Sequence, residues 1–399
     1  MKTLFQINCT SNWGSTGKIA EQIGLCAKTH DWECYMAYGR SSNPSALNNI
    51  KVGNMFWTVE HYAENRLWDN EGLASRIPTK RLLKEIDRIH PDVVHLHNIH
   101  DHWLNYKILF EYLVEKQIPA VWTFHDCWAF TGHCCHFVES GCEKWKTECG
   151  ECPMRNRFRD RSRENFLLKK TLFSANKNLT IVPCSEWMAG FVRESFLKDK
   201  RIQVIHNGVD LNVFKPSTES NSDGKFRILA VSNVWPKSKG LADIVKLRGM
   251  LPSEYEITVV GLNEKQVKSL PVGITGIQRT QNVQELAGLY SSSDVLINTT
   301  YADTFPTVNL EALACGTPVI TYRTGGSPEA VDENTGAVVE QGNLDALCEK
   351  IKEFSHIGFK QLHSIDCRKR AEECFDKDKC FEKYIELYNR IFCNYGCKM

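Results

Sequence analysis

The sequence predicts an α/β protein built as two parallel-sheet domains, and three observations lead there. Short apolar runs recur between helical apolar stripes, which is the rhythm of parallel strands joined by crossover helices. The series begins twice, at Leu4 and again at Phe226, with a polar, Ser-rich stretch from Lys215 to Gly224 between the two. A chain of 399 residues also exceeds one ordinary core and fits two domains of about 150 to 200 residues each.

Bulk properties narrow the function classes. A formal net charge of +1 with 24% charged residues carries no polyelectrolyte signature, so nucleic acid is not an expected partner and any basic surface is local. No apolar run reaches the roughly 18 residues of a membrane span. The run Met1-Lys-Thr-Leu-Phe-Gln-Ile-Asn-Cys9 enters a strand-like segment directly, without the apolar core and cleavage site of a signal peptide, so a soluble, cytoplasmic protein is expected. Seventeen cysteines then point to thiols or a metal site before a disulfide framework, because a reducing compartment keeps thiols free.

Taken in order, Leu4-Phe-Gln-Ile-Asn8 reads as a buried strand, and the loop Trp13-Gly-Ser-Thr-Gly17 precedes a helix from Lys18. Glycines after a first strand let a ligand approach the backbone. This loop is not the P-loop of a kinase or ATPase: Asn12 stands where the first glycine belongs, and Ile19 where Ser or Thr would hold magnesium. Leu82, Leu83, Ile86 and Ile89 make the core-facing side of a helix over Lys80–Ile89. Strands Asp92–His97 and Ala120–Phe124 follow, and His125-Asp126 ends the second, the edge at which parallel sheets place function.

An insertion then carries Cys127, Cys134, Cys135, Cys142, Cys149 and Cys152 between Asp126 and Pro153. Cys149-Gly-Glu-Cys152 is the close pair that zinc knuckles use, so the thiolates of Cys134, Cys142, Cys149 and Cys152 are a candidate structural zinc site; metal-free thiols or a redox pair is the competing reading. Beyond it, Arg155 through Arg163 with Lys169-Lys170 alternate with Phe158, Phe166, Leu167, Leu168 and Leu172. The pattern fits a helix lying on an anionic membrane, and equally an internal amphipathic helix with a solvated basic face.

In the second series Phe226–Ser232, Glu256–Gly261, Val295–Asn298 and Pro318–Thr321 read as strands, and Leu362–Met399 as helices. Trp235-Pro-Lys-Ser-Lys-Gly240 places Lys237 and Lys239 in a turn after the first of these strands. The most informative stretch is Asp303-Thr-Phe-Pro-Thr-Val-Asn-Leu-Glu311. Ile297–Thr300 ends an apolar run, Pro306 suits a first helical position, and Leu310, Leu313 and Ala314 supply a helical stripe, so strand, loop and helix follow one another. Free N–H groups around Phe305 and Pro306, chiefly those of Thr307 and Val308, then face the loop, and a helix start favours a phosphate. Asp303 and Glu311 flank that start and can accept hydrogen bonds from vicinal hydroxyls, which suits a ligand with sugar, phosphates and ribose in sequence. An ordinary helix with a solvated acid near its first turn is the competing reading.

The block from Asp303 to Ile320, with Gly325-Gly-Ser-Pro-Glu329, resembles the donor-site signature of the retaining glycosyltransferases of family 4, whose GT-B fold sets two Rossmann-like domains facing across a cleft. The resemblance spans nearly the whole chain and is strongest from 294 to 330. It implies an acceptor-side domain over 1–190 containing the insertion 127–153, a nucleotide-sugar domain over 191–375, and a helix over 376–399 returning to the first domain. Carried over residue by residue, it gives Asp303 the sugar hydroxyls, Glu311 the ribose, and His125 a place facing the transferred sugar. Lys239, with Lys237 and Asn233, falls beside the donor diphosphate, and Gly14 through Gly17 beneath it. Two departures stand out: Asp303 replaces the usual glutamate, and Asn233 stands near the place of a usual arginine. His95, His97, His100 and His102 lack the spacing of zinc hydrolases and read as lining the acceptor side.

The implied activity is transfer, with retention, of a hexose from a nucleotide diphosphate sugar to a glycan acceptor, lipid-linked, in cell-surface polysaccharide biosynthesis. It needs no catalytic cofactor and would operate at the inner face of the cytoplasmic membrane, with peripheral contact to anionic lipid. An epimerase or phosphorylase on the same fold, or a nucleotide-sugar or glycan-binding protein without turnover, are the competing readings.

Overall fold

The computed structural model describes residues 2–154, 158–217 and 224–396. Part of the predicted basic run, residues 155–157, and most of the Ser-rich stretch, residues 218–223, lie outside them. The chain divides into two compact units, residues 1–205 with 381–399, and residues 206–380. The seam falls at 205/206 rather than 190/191, because the helix Glu186–Glu194 and the strand Arg201–Ile202 continue the first sheet.

The first unit is a seven-stranded parallel sheet of β1 (Lys2–Asn8), β2 (Trp32–Tyr38), β3 (Asn48–Lys51), β4 (Val93–Leu96), β5 (Ala120–Phe124), β6 (Leu179–Pro183) and β7 (Arg201–Ile202), in the order β3-β2-β1-β4-β5-β6-β7. Leu4 pairs with Cys34 on one side and Val93 on the other, fixing the register of the centre. Strands buried on both faces need continuous apolar runs, and β4, β5 and β6 are buried at every position. Phe5, Ile7, Leu96, Phe110, Trp122 and Phe124 make the core, which the insertion extends with Trp128, Phe130, Phe137 and Trp145. The Cys-rich segment is therefore packed structure and not a loose loop.

The second unit is a six-stranded parallel sheet of β8 (Phe226–Val231), β9 (Tyr255–Val260), β10 (Ile274–Ile277), β11 (Val295–Asn298), β12 (Val319–Tyr322) and β13 (Gly336–Val339), ordered β10-β9-β8-β11-β12-β13. Ile228, Leu247, Ile257, Ile297, Ile320 and Phe354 anchor its core. In both sheets the strand order reverses beside the first strand, between β1 and β4 and between β8 and β11, which opens a crevice at the carboxyl edge of each sheet.

Several boundaries differ from the sequence reading. The glycines Gly14 and Gly17 form the first turn of the helix Gly14–Thr29, which starts four residues before Lys18. Gly17 belongs there because a Cβ would stand 2.6 Å from Thr10 Oγ1. The helix predicted from Lys80 starts at Arg76, with Pro78 tolerated in its first turn. The terminal helix Lys377–Gly396 joins the first unit from Phe381 onward. There Tyr388 Oη lies 2.6 Å from His95 Nδ1, and Tyr384 Oη lies 2.9 Å from Thr123 Oγ1.

Candidate active site

In the first unit, β5 ends at Phe124 and delivers His125 to the carboxyl edge of the sheet. A buried chain of hydrogen bonds sets its tautomer. Gln6 Nε2 donates to the Ala20 carbonyl at 2.9 Å, which turns Gln6 Oε1 toward His97 Nε2 at 3.1 Å. His97 thus carries its proton on Nε2, and its Nδ1 accepts from His125 Nε2 at 3.2 Å. His125 Nδ1 is then left unprotonated. Burial lowers the His125 pKa to about 4, so the ring is neutral at physiological pH.

Asp126, next in sequence, accepts from His100 Nε2 at 2.8 Å. Burial opposes the charged imidazole of His100, but the Asp126 carboxylate outweighs it and lifts the pKa to about 8. Burial likewise opposes the Asp126 carboxylate, whose pKa the His100 charge and hydrogen bond hold at about 2. His95 and His97 are buried beneath this edge and bonded to Thr123, Tyr388 and Gln6, so they support the sheet edge and do not line a surface.

In the second unit the carboxyl ends of β8 and β11 come together through the turn Lys237–Lys239. Thr299 Oγ1 donates to the Lys239 carbonyl at 3.2 Å, and Tyr301 N donates to the Ser238 carbonyl at 2.6 Å. Gly240 allows the approach: its φ is +74°, and a Cβ would meet the Thr299 carbonyl at 2.1 Å. The turn thereby brings Lys239 Nζ to 2.6 Å from Asp303 Oδ2, with both side chains about a quarter exposed. Gly325 does the same on the far side of Asp303, where a Cβ would stand 1.7 Å from the Asp303 carbonyl.

The helix Thr307–Ala314 begins beside this pair. Pro306 is its N-cap, with φ −71° and ψ 118°, and not the first helical residue, because its ψ is extended. No side chain caps the turn, so the N–H groups of half-buried Thr307 and Val308 keep the donor character of a helix start. Asn309, in the first turn, is buried and its Oδ1 receives Asn298 Nδ2 at 2.9 Å, which locks the helix start to the end of β11. One turn on, Glu311 Oε2 accepts from Tyr290 Oη at 2.8 Å.

The structure thus gathers Lys239, Asp303, Thr307, Val308 and Glu311 on one edge of the second sheet. Asn233 and Lys237 are exposed on the same connection after β8. Phe305 is different: its ring is buried, stacked on His206 at 4.8 Å and against Phe375, so only its backbone can serve a ligand. Pro306 is likewise buried. In the first unit Gly14 and Gly17 open their helix without a side-chain cap. Sequence reasoning missed the orienting roles of Tyr290 and Gln6 and read His97 as an acceptor-side lining residue, since each lies far along the chain from the group it holds.

The Cys-rich insertion brings Cys134 and Cys152 together at 3.7 Å, and Cys142 and Cys149 line the same cavity, which also takes in His133, absent from the sequence-based set. Of the two readings of the basic segment the structure fits the internal amphipathic helix, with Arg163 and Lys170 exposed, except that Lys169 leaves the basic face. Lys169 is buried, donating to the carbonyls of Trp128 at 2.7 Å and Thr131 at 3.1 Å and lying 3.4 Å above the Trp128 ring, while Phe166 is also buried. This helix, Ser162–Ala175, is therefore internal packing.

Two family models match the chain, one described as Glycosyltransferase Family 4 over residues 25–213 and one described as Glycosyl transferases group 1 over residues 225–356. The putative colanic acid biosynthesis glycosyl transferase WcaC of Escherichia coli (strain K12) is 23% identical over 319 residues, covering 75% of this chain and 77% of that one. Among solved structures, the sucrose-phosphate synthase of Thermosynechococcus elongatus superposes with a TM-score of 0.74 at 16% identity, over 99% of this chain and 100% of that one. Anabaena HepE in complex with UDP-glucose superposes with a TM-score of 0.63 at 13% identity, over 98% and 100% of the two chains. At these identities the structural likeness shows the fold, GT-B with two Rossmann-like domains.

Proposed function

We propose that this chain, a glycosyltransferase whose two parts match Glycosyltransferase Family 4 and Glycosyl transferases group 1, moves a hexose, with retention, from a nucleotide diphosphate sugar to a glycan acceptor in cell-surface polysaccharide biosynthesis. The observation that supports the proposal is the uncapped start of the helix Thr307–Ala314, with Asp303, ion-paired to Lys239, on the loop before it and Glu311 one turn on. Asp303 accepts from sugar hydroxyls, the N–H groups of Thr307 and Val308 with Lys239 hold the diphosphate, and Glu311, fixed by Tyr290, accepts from the ribose. WcaC supports a polysaccharide product, and the UDP-glucose held by HepE supports the donor class.

In this reading the chemical step separates an oxocarbenium-like sugar from a departing diphosphate. The acceptor oxygen attacks from the face the nucleotide leaves, and a diphosphate oxygen takes its proton. The protein's task is to stabilise charge on the leaving group, which fixed N–H dipoles and Lys239 do without reorganising. The family resemblance gives His125 the part of positioning donor hydroxyls and not that of a strong base. A lipid-linked acceptor at the cytoplasmic face of the membrane is part of the proposal; no helix among the described residues is long and apolar enough to cross a membrane.

The test is thermal protection by a panel of nucleotide diphosphate sugars, followed by product analysis with acceptors. The expected result is a rise in unfolding temperature with one donor class and an acceptor-dependent product that keeps the donor's anomeric configuration. Conversion of the donor without an acceptor would replace transfer with epimerisation. Wild-type transfer by Asp303→Ala would remove that carboxylate from the assigned role.

A further inference from the structure

The insertion after β5 holds donors that the sugar chemistry does not use. Cys134 and Cys152, 18 positions apart in sequence, stand with their sulfurs 3.7 Å apart. That is far beyond a disulfide bond of about 2.05 Å. It does match the edge of a tetrahedron around zinc, since two sulfurs each about 2.3 Å from such an ion stand about 3.8 Å apart. The ring nitrogen of His133 joins them, all three ligand atoms lying within 4.8 Å of one another.

His133 is oriented as a ligand. Its side chain is 3% exposed, and Nδ1 lies 3.1 Å from Asp69 Oδ2, a carboxylate that also accepts from Arg161 N at 2.9 Å. An acceptor at Nδ1 holds the proton there and leaves Nε2 with its lone pair. That Nε2 is buried and makes no hydrogen bond to nitrogen or oxygen among the described residues. The buried ring nitrogen meets only sulfur there, and a cation satisfies the nitrogen and both thiols together. The cavity they share has a volume of about 20 Å³, room for one ion and too little for an organic ligand. Cys142 and Cys149 line it as well.

We propose that the insertion holds a structural Zn²⁺ bound by Cys134, Cys152 and His133 Nε2, with a second thiolate of the Cys149-Gly-Glu-Cys152 pair, or that of Cys142, closing the fourth corner. Soft thiolates with imidazole in a tetrahedral set select zinc over magnesium or calcium. The thiols bind as thiolates and release their protons to solvent, and the imidazole binds neutral. Coordination ties the two ends of the insertion to each other and, through His133 and Asp69, to the segment that follows the helix Met55–Trp68. The insertion begins directly after His125 and Asp126, so the ion braces the base of that edge and takes no part in transfer.

The experiment is elemental analysis of full-length protein purified without an affinity tag, with cobalt replacement as a second readout. The expected result is about one zinc per chain, and for the cobalt form the intense visible bands and thiolate charge-transfer absorption of a tetrahedral sulfur-rich site. Cys134→Ser combined with Cys152→Ser should abolish both, whereas Cys348→Ser, in the core of the second unit, should keep both. Zinc below about a tenth of an equivalent, before and after incubation with the ion, overturns the proposal. So does full metal content in the double variant. If that variant does not fold, an octahedral, thiolate-free cobalt spectrum of the native chain overturns it alone.

Discussion

Lys239 and Asp303 touch at 2.6 Å, yet a pair this exposed adds little to stability, about 0 to 1 kcal/mol. Their cost-free removal from the fold should contrast with their weight in turnover: Asp303→Asn should lower kcat/KM by roughly 10²- to 10³-fold, on the scale of losing one preorganised electrostatic contact, while the urea midpoint barely moves. Steady-state kinetics beside equilibrium unfolding would check it. The histidines report through pH. Burial lowers the pKa of His61 to about 3 and that of His125 to about 4, both below the unfolded value of about 6.5, so their contribution is present above pH 6.5 and is lost as pH falls toward 4. His100, raised to about 8 by Asp126 against the opposing effect of burial, has the reverse sign: its contribution is present below about pH 6.5 and lost as pH rises through 8. His100→Gln should therefore reduce the fall in urea stability between pH 6.5 and 8 and leave the acid limb unchanged.

The helix Thr307–Ala314 has only eight residues, too few to be stable by itself, so its aim depends on anchors at both ends. Asn298 holds the start, and Arg368 holds the end by donating from one guanidinium nitrogen to the carbonyls of Phe214 at 2.8 Å and Ala314 at 2.9 Å. Arg368→Met should cost about 1.5 to 3 kcal/mol, the range for hydrogen bonds from a charged group, and should weaken donor protection as well. The strand-loop-helix succession was legible because the apolar run, the proline and the stripe are local signals. Arg368 was not, since its partners lie 54 and 154 positions away. The same limit explains the basic helix: Arg, Lys and Phe at helical spacing look alike whether the lysine meets water or, like Lys169, the backbone of a distant turn. A different element carries the exposed apolar surface. Met55, Phe56, Val59 and Tyr62 line the outer side of the helix Met55–Trp68, and Arg66 lies against the 77% exposed ring of Phe158. If the proposed membrane contact uses this surface, sedimentation with anionic vesicles at low salt recovers the native chain and much less of Phe56→Ser with Val59→Ser, and equal partition onto neutral vesicles removes its electrostatic part.

At the scale of the molecule, the two parallel-sheet domains were readable from rhythm, whereas the strand order and the unit boundaries were not, because both are defined by which strand a segment pairs with. Residues 191–205, which the family resemblance assigns to the second domain, join the first unit through the end of the helix Glu186–Glu194 and the pairing of Thr180 with Arg201. The last helix shows the same dependence. Leu387, Tyr388 and Ile391 are buried in the first unit, and Tyr388→Ala should cost about 3 to 5 kcal/mol by opening a large cavity and stranding His95, measurable as a lower unfolding midpoint. This arrangement has a bearing on how the molecule is made. The second unit is continuous from residue 206 to 380, whereas the first waits for residues from 381 onward. During vectorial synthesis on the ribosome, the segment translated first must remain unfinished until its distant C-terminal partner emerges, so the middle of the polypeptide is free to mature ahead of its beginning.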